Sequence, residues 1–443
     1  MNRAEYMLKP FLDNEDLIRE RSHAGIENAR KGYGVIQVTD TCGNPVPGAA
    51  VRLRQRSHDF HYGANLFMLD ELETPEKNAA YRKTFPKYFN LATLPFYWDT
   101  LEPVEGKPRL AADSPKVYRR PAPDLCLKFC EENNIAPKAH CLNYDSFTPD
   151  WLQKYSAAEQ WEKLEERFRI LAERYARRIH GWEVTNELWW NRARTKIYFD
   201  PDYMERSFRL AERYFPSNEL ISNDWQSCFR SFFHYNRDCN FMQLERAILK
   251  GARIDTIGLQ YHLFSTPETE EAIAAVQLDP VNMYSVFDTY AALRRPMQIT
   301  EVTIPCQQPD SREAESIQAE VLRYLYTIWF GVPDMEAIIY WNLVDGYAYN
   351  AEPGDFSNGE NTLAGGLMRF DMTPKPALDT LRTLFEKEWH TEAALVADDG
   401  GRVRFKGFYG TYDVEIHAGE KSAAHRIHLE KTVERNPTFT VTL

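Results

Sequence analysis

Residues 181–190 read GWEVTNELWW. Trp182 and Val184 alternate with other residues, the period of a strand whose side chains point to opposite faces. That strand runs straight into Asn186-Glu187 and then into three large apolar residues, Leu188, Trp189 and Trp190. A carboxyl group crowded by apolar side chains resists ionisation, so its pKa is pushed up. The stretch therefore predicts a strand whose C-terminal end carries a protonated acid. Just upstream, Trp161, Leu164, Phe168, Leu171 and Tyr175 recur at spacings of three and four, one apolar stripe on a helix predicted over 161–179. A helix feeding a strand is one unit of a parallel sheet.

Outward from this unit the same alternation recurs, beginning at FHYGANL (60–66). Strands are expected at 60–65, 89–94, 135–141, 181–187, 219–224, 254–262, 296–302 and 336–342, with a second clear helix at 313–330. Eight strand–helix units predict an α/β chain, a (β/α)8 TIM barrel over residues 58–390 with long loops, since a typical barrel takes about 250 residues. A doubly wound open sheet should show a glycine-rich phosphate loop after an early strand, and neither G-x-G-x-x-G nor G-K-[ST] occurs.

The barrel gives the polar strand ends a meaning. His140 closes the third strand, Asn186-Glu187 the fourth, Asn223-Asp224 the fifth, Gln260 and His262 the sixth, Glu301 the seventh and Trp341-Asn342 the eighth. Singly, a glutamate at a strand end is a solvated cap and a histidine a satisfied core residue. In a barrel these ends converge on the face where barrel enzymes place their chemistry. Two carboxyl groups there are what glycosidic bond cleavage needs, one to protonate the leaving oxygen and one to attack the anomeric carbon. Glu187, in its apolar stretch, is the expected proton donor, and Glu301, near His262, the expected nucleophile.

Composition narrows the partners. The chain has 443 residues, of which 43% are hydrophobic and 13% aromatic, enough for a large core plus a smaller domain. A formal net charge of -12 argues against nucleic-acid or anionic-membrane partners, which need basic patches. Ten Trp, 24 Tyr and 25 Phe offer flat faces for sugar rings, although most belong in the core. Cysteines at 42, 126, 130, 141, 228, 239 and 306 form no C-x-x-C pair and suit a reducing compartment. The start, MNRAEYMLKPFLDNEDLIRE, has no apolar core or small-residue cleavage site, so a cytoplasmic location is expected, or a secreted one had a signal been removed. No apolar run approaches the ~20 residues of a membrane span. Oligomeric state leaves no signal.

GWEVTNE resembles the W-D-x-x-N-E acid/base motif of glycoside hydrolase family ten, the endo-β-1,4-xylanase family, and QITEVTI (298–304) resembles its nucleophile segment. FN (89–90) with WDTLEPVEGK (98–107), AHCLNYDSFTPDWL (139–152), SND (222–224), GLQYHLF (258–264) and GGLMRFDMTPKPAL (365–378) follow in the family's order, so the resemblance covers roughly 60–388. It implies a retaining hydrolase of β-1,4-linked xylan or xylo-oligosaccharides, working through a covalent glycosyl-enzyme with no metal or cofactor. Glu187 would be the acid/base, Glu301 the nucleophile, and Asn186 would hold the sugar 2-hydroxyl, with the two carboxyl groups about 5–5.5 Å apart. The candidate substrate-binding residues are Asn186, His140, Gln260, His262, Trp341, Tyr144, Trp98 and Tyr97.

The chain also departs from the family. TLPFYW (93–98) stands where the family has T-P-E-N-x-x-K-W, with Tyr97 in place of the lysine that helps grip the non-reducing-side sugars. YDSF (144–147) replaces W-H-S-Q, and Thr303 replaces the aspartate that would orient His262. These changes keep two further readings open, a retaining hydrolase of another β-linked glycan and a non-catalytic sugar-binding barrel.

The chain ends read as β structure. GVIQVTDTCGNPVPGAAVRLRQ (34–55) predicts two strands and 398–443 four more. Two strands cannot bury a face in water, so the parts 31–57 and 391–443 are expected to form one β-sandwich, which resembles the transthyretin-like or carboxypeptidase-regulatory type. Its expected role is a structural buttress, with carbohydrate binding as the alternative. Residues 1–30 read as a helical segment.

Overall fold

The computed structural model describes residues 2–189, 193–230, 237–431 and 436–443. In chain order its strands are β1 (Lys31–Thr39), β2 (Ala50–Gln55), β3 (His61–Asn65), β4 (Leu91–Pro95), β5 (Ala136–His140), β6 (Gly181–Asn186), β7 (Glu219–Asp224) and β8 (Thr256–His262). They continue as β9 (Met297–Thr303), β10 (Met335–Tyr340), β11 (Glu392–Val396), β12 (Arg402–Phe408), β13 (Gly410–Ala418), β14 (Lys421–Leu429) and β15 (Thr438–Thr442). Strands β3 to β10 close into a barrel in the order β10-β3-β4-β5-β6-β7-β8-β9. With the intervening helices this is the expected (β/α)8 architecture. Strands β6, β8 and β9 are buried at every residue, because helices cover a parallel sheet on the face its own core does not.

Register brings the strand ends together. Asn186 on β6 lies opposite Asn223 on β7, and Gln260 on β8 lies opposite Glu301 on β9. The helix expected at 161–179 spans Ala157–Tyr175 and begins early because Ser156 and Glu159 form a reciprocal cap, with each side chain bonded to the other's backbone N–H. The GGLMRFDMTPKPAL stretch shapes the loop after β10. Gly366 donates its N–H to Asp345 Oδ1 at 2.7 Å, a Cβ there would sit 2.6 Å from the Asp345 nitrogen, and Asp345 pairs with buried Lys375 at 2.6 Å. Its glycine is thus required by close backbone approach.

The chain divides into two compact units. The first comprises Met1–Glu15, Tyr62–Tyr324 and Asp334–Asp379 and holds the barrel. Within it the helix Arg3–Leu12 is held by an Arg3–Glu270 ion pair at 2.8 Å, by the Tyr6 hydroxyl on the same carboxylate, and by Phe11 stacked on Tyr324 at 4.7 Å. The second unit comprises Asp16–His61, Leu325–Pro333 and Thr380–Leu443. It contains two sheets, β12-β1-β15 and β11-β2-β13-β14. Ile36 and Val38 of the first sheet and Val51, Leu53, Tyr412, Val414 and Ile416 of the second share one buried cluster.

Strand β11 was not expected. Its sequence EAALV has no alternation of polar and apolar residues, none of its residues is fully buried, and its pairing with β2 places it at a sheet edge. Among the described residues no helix is long and apolar enough to cross a membrane.

Candidate active site

Beyond β6 the chain turns sharply. Glu187 adopts φ +48, the left-handed region a side-chain-bearing residue seldom occupies, while its N–H donates to the Asn223 carbonyl at 3.2 Å. Glu187 Oε1 accepts from Gln260 Nε2 at 3.0 Å, and its Oε2 accepts from the Tyr144 hydroxyl. Glu301, 3% exposed, accepts at Oε1 from Asn223 Nδ2 at 2.9 Å and from the same Gln260 Nε2 at 3.1 Å. One amide nitrogen therefore bridges the two carboxyl groups. Their nearest oxygens can be no further apart than those two bonds laid end to end.

Around this bridge the polar groups interlock. Asn223 Nδ2 also donates to Asn186 Oδ1 at 2.8 Å, and the Thr300 hydroxyl donates to Asn223 Oδ1. His262 Nε2 lies 3.2 Å from Glu301 Oε2, and His262 Nδ1 lies 2.8 Å from Thr303 Oγ1. Both bonds are satisfied when Nε2–H donates to the carboxylate and Nδ1 accepts from the hydroxyl. Thr303 thus orients His262 where a carboxylate was expected to be missing. A hydroxyl does this without adding a negative charge beside Glu301.

The Glu187 carboxyl is held above the usual carboxylate range by burial first and by the Glu301 charge second, with the Tyr144 and Gln260 hydrogen bonds pulling the other way. The source of that burial differs from expectation. Leu188 is buried, but its N–H is directed to Asp224 Oδ2 at 3.3 Å, and Trp189 is 49% exposed. Trp190 lies outside the described residues. Trp189 is thus too exposed to dehydrate the acid.

The cavity has a volume of about 440 Å³ and is lined by Tyr97, His140, Tyr144, Asn186, Glu187, His262, Glu301 and Trp341 from the expected set. Gln260, fully buried, lies behind it and holds both acids. Trp98 is not among the lining residues: its indole N–H donates to Glu102 at 2.9 Å and its ring packs edge-on against Trp151. His140 shows its ring to the cavity, but both nitrogens are engaged, Nδ1 with Glu183 and Nε2 with the Tyr97 hydroxyl at 3.0 Å. Burial opposes the His140 cation, and the Glu183 carboxylate outweighs it, so the imidazole pKa is raised. Burial likewise opposes the Glu183 anion, yet Lys138 at 2.6 Å and His140 together bring its pKa down to about 2. His140, Glu183 and Glu301 form the one group among the described residues whose ligand atoms lie close enough for a metal ion, within 4.8 Å of one another. Each already has protein partners, which makes the group an internal charge network.

Sequence reading passed over several lining residues. Arg119, Arg120 and Tyr349 come from loops and Glu360 from the short 3-10 helix Gly359–Leu363, where no periodicity ties them to the barrel face. Asn223 was legible as a strand end but not as a partner of Glu301. Asn223→Ala should lower kcat by about 10- to 100-fold, the worth of one hydrogen bond to a charged group. Steady-state kinetics on a folded variant checks this; an unmoved kcat would leave Asn223 with no part in the chemistry.

The model of Glycosyl hydrolase family 10 matches residues 67–383. Endo-1,4-beta-xylanase B of Thermotoga neapolitana is 25% identical over 345 residues, 74% of this chain and 88% of that protein. Endo-1,4-beta-xylanase 1 of Arabidopsis thaliana is 23% identical over 407 residues, 88% of this chain but 37% of that protein. The chain thus spans well under half the length of some curated relatives it matches. Among solved structures, native xylanase 10B from Thermotoga maritima superposes with a TM-score of 0.56 at 23% identity, over 74% of this chain and 96% of that one. Xylanase 10B from Thermotoga petrophila, in complex with xylobiose, does so with a TM-score of 0.56 at 22% identity, over 74% and 95%. These likenesses are of fold.

Proposed function

The chain belongs to glycosyl hydrolase family 10, and from that premise we propose that it is a retaining β-glycosidase that cleaves β-1,4-linked xylan or xylo-oligosaccharides through a covalent glycosyl-enzyme. The observation that carries the reading is the Gln260 bridge. Two oxygens bonded to one nitrogen at 3.0 and 3.1 Å are closer than the ~6.5 Å or more that inverting enzymes leave for a water, and suit the ~5–5.5 Å of a retaining pair.

In the first step Glu301 forms a bond to the anomeric carbon as the bond from that carbon to the leaving oxygen breaks. The proton on Glu187 goes to that oxygen. Asn223, Gln260 and His262 keep Glu301 in place for attack, and their donors hold its charge until the bond forms. In the second step Glu187, now ionised, takes a proton from water while the hydroxyl displaces Glu301. Trp341, edge-on to Phe67, His140 and His262, supplies a rigid aromatic wall for a sugar ring. The xylanase names of the relatives and the xylobiose of one structural neighbour support xylose as the sugar.

A second reading, hydrolysis of another β-linked glycan, has one observation in its favour. Tyr97 stands where the family's sugar-gripping lysine is expected, bonded to His140 and covered by Arg120. Proton NMR of the first-formed sugar from xylan, β-1,4-glucan and β-1,4-mannan tests both. Release of a β-anomer from xylan is expected; an α-anomer would overturn the retaining mechanism, and a β-anomer from another glycan alone would move the substrate to the second reading.

A further inference from the structure

Arg119 and Arg120 line the cavity that holds Glu187 and Glu301, and they are only 2% and 5% exposed. Other deeply buried cations of the barrel unit are fully committed. Lys138 pairs with Glu183 and Lys375 with Asp345, each at 2.6 Å. Arg167 donates to the carbonyls of Leu142, Phe96 and Cys141, and Arg109 to those of Pro115, Thr100 and Arg120. Arg120 donates once, from Nη1 to the Arg119 carbonyl at 3.0 Å, and Arg119 donates from Nη1 alone, to Asn342 Oδ1 at 3.0 Å and the Tyr347 carbonyl. The Nε of each is buried without a hydrogen-bond partner.

Neither guanidinium has a carboxylate within 4.0 Å among the described residues. Three acidic groups face them from neighbouring elements. Glu360 accepts from Asn342 Nδ2, Asp99 accepts from the Thr100 N–H, and Glu301 has its own three donors. The Arg120 guanidinium carbon lies over the Tyr97 ring, 3.7 Å from its centroid, with Phe67, Phe147 and Tyr349 around it. Stacking on a ring stabilises a desolvated cation less than burial destabilises it. It also satisfies none of the guanidinium N–H groups, so those without an acceptor can still take a planar carboxylate. Burial, and then the neighbouring Arg120 charge, lower the pKa of Arg119 against the opposing pull of Glu360.

Resting on the glycosidase reading, we propose that this cavity takes an acidic sugar: Arg119 and Arg120 receive the carboxylate of a uronic acid carried by the glycan. The anion supplies acceptors for guanidinium N–H groups that the protein leaves unpaired, and it makes the site selective for decorated over plain chains. Tyr97 acts as the platform that keeps Arg120 in place.

The test uses xylo-oligosaccharides of two to four residues bearing one glucuronic acid, each beside the same compound with its carboxyl reduced to an alcohol. Calorimetric titration into the full-length Glu187→Gln protein, which turns them over slowly, should give at least 10-fold tighter binding of the acidic member of a pair. That gap should narrow as salt is raised and collapse in Glu187→Gln/Arg120→Gln. If the double variant fails to fold, the acidic-versus-reduced gap and its salt dependence in Glu187→Gln decide alone. Equal affinity for both members across the set, or a gap that persists without Arg120, overturns the inference. Hydrolysis of the reduced compounds by the unaltered chain reports separately on the glycosidase reading: cleavage without a binding gap removes the inference alone, and a binding gap without cleavage removes the glycosidase reading alone.

Discussion

Glu301→Ala should lower turnover of xylo-oligosaccharides by about four to six orders of magnitude, the loss typical of removing a covalent nucleophile. The residue is 3% exposed and held by Asn223, Gln260 and His262, so alanine leaves a small polar hollow beneath the anomeric carbon with its donors still in place. Azide or formate entering that hollow should restore part of the activity with activated aryl glycosides. With azide, a single displacement from the side opposite the leaving group should yield an α-glycosyl azide from a β-glycoside, because the second inversion of the normal cycle no longer occurs. Chiral product analysis by NMR checks the outcome. A rescued product of retained β configuration would reject Glu301 as nucleophile.

The second large effect concerns Glu187. Its pKa is raised by burial and by the Glu301 charge, and the first step needs it protonated. Activity should therefore be full below the raised pKa and fall as pH rises through it, giving kcat/KM a basic limb set by Glu187. Glu187→Gln keeps one acceptor oxygen for Tyr144 or Gln260 but cannot release a proton. The basic limb should vanish, and kcat/KM for substrates with poor leaving groups should fall by about 10²- to 10⁴-fold, the range of general acid catalysis. Aryl glycosides that leave without protonation should still react fast in the first step and stall in the second, where no base activates water, and stopped-flow should record a burst of phenolate. Survival of the basic limb, or equal loss in the first step for both substrate classes, would make Glu187 a structural acid.

Much of this site was readable in the chain before any tertiary contact was known. Strand β7 falls at 219–224 as expected, and the other barrel strands begin and end within a few residues of their expected limits. Alternating strand and helix periods are local, and a parallel barrel must bring its strand C-termini to one face, so Asn186, Glu187, Gln260, His262 and Glu301 were bound to meet. The edge strand β11 was missed because pairing with β2, not its own pattern, makes EAALV extended. Trp189 was expected to dehydrate Glu187 and is instead half-exposed, because sequence neighbours need not be spatial neighbours after a left-handed turn.

The sequence by itself thus determined the barrel and the strand ends on which the two acids stand, since hydrophobic period and strand-end chemistry act over a few residues at a time. Only the tertiary structure decided how those acids are tuned and what the cavity admits. Gln260 bridges residues 73 and 41 positions away, Thr303 replaces a carboxylate with a hydroxyl, and Arg119 reaches Asn342 across 223 residues of chain. The walls of the cavity come from loops whose conformation follows from close approach and burial rather than from any repeating pattern. Long-range electrostatics and hydrogen bonding depend on distance in space, and distance in space is what a linear chain does not record.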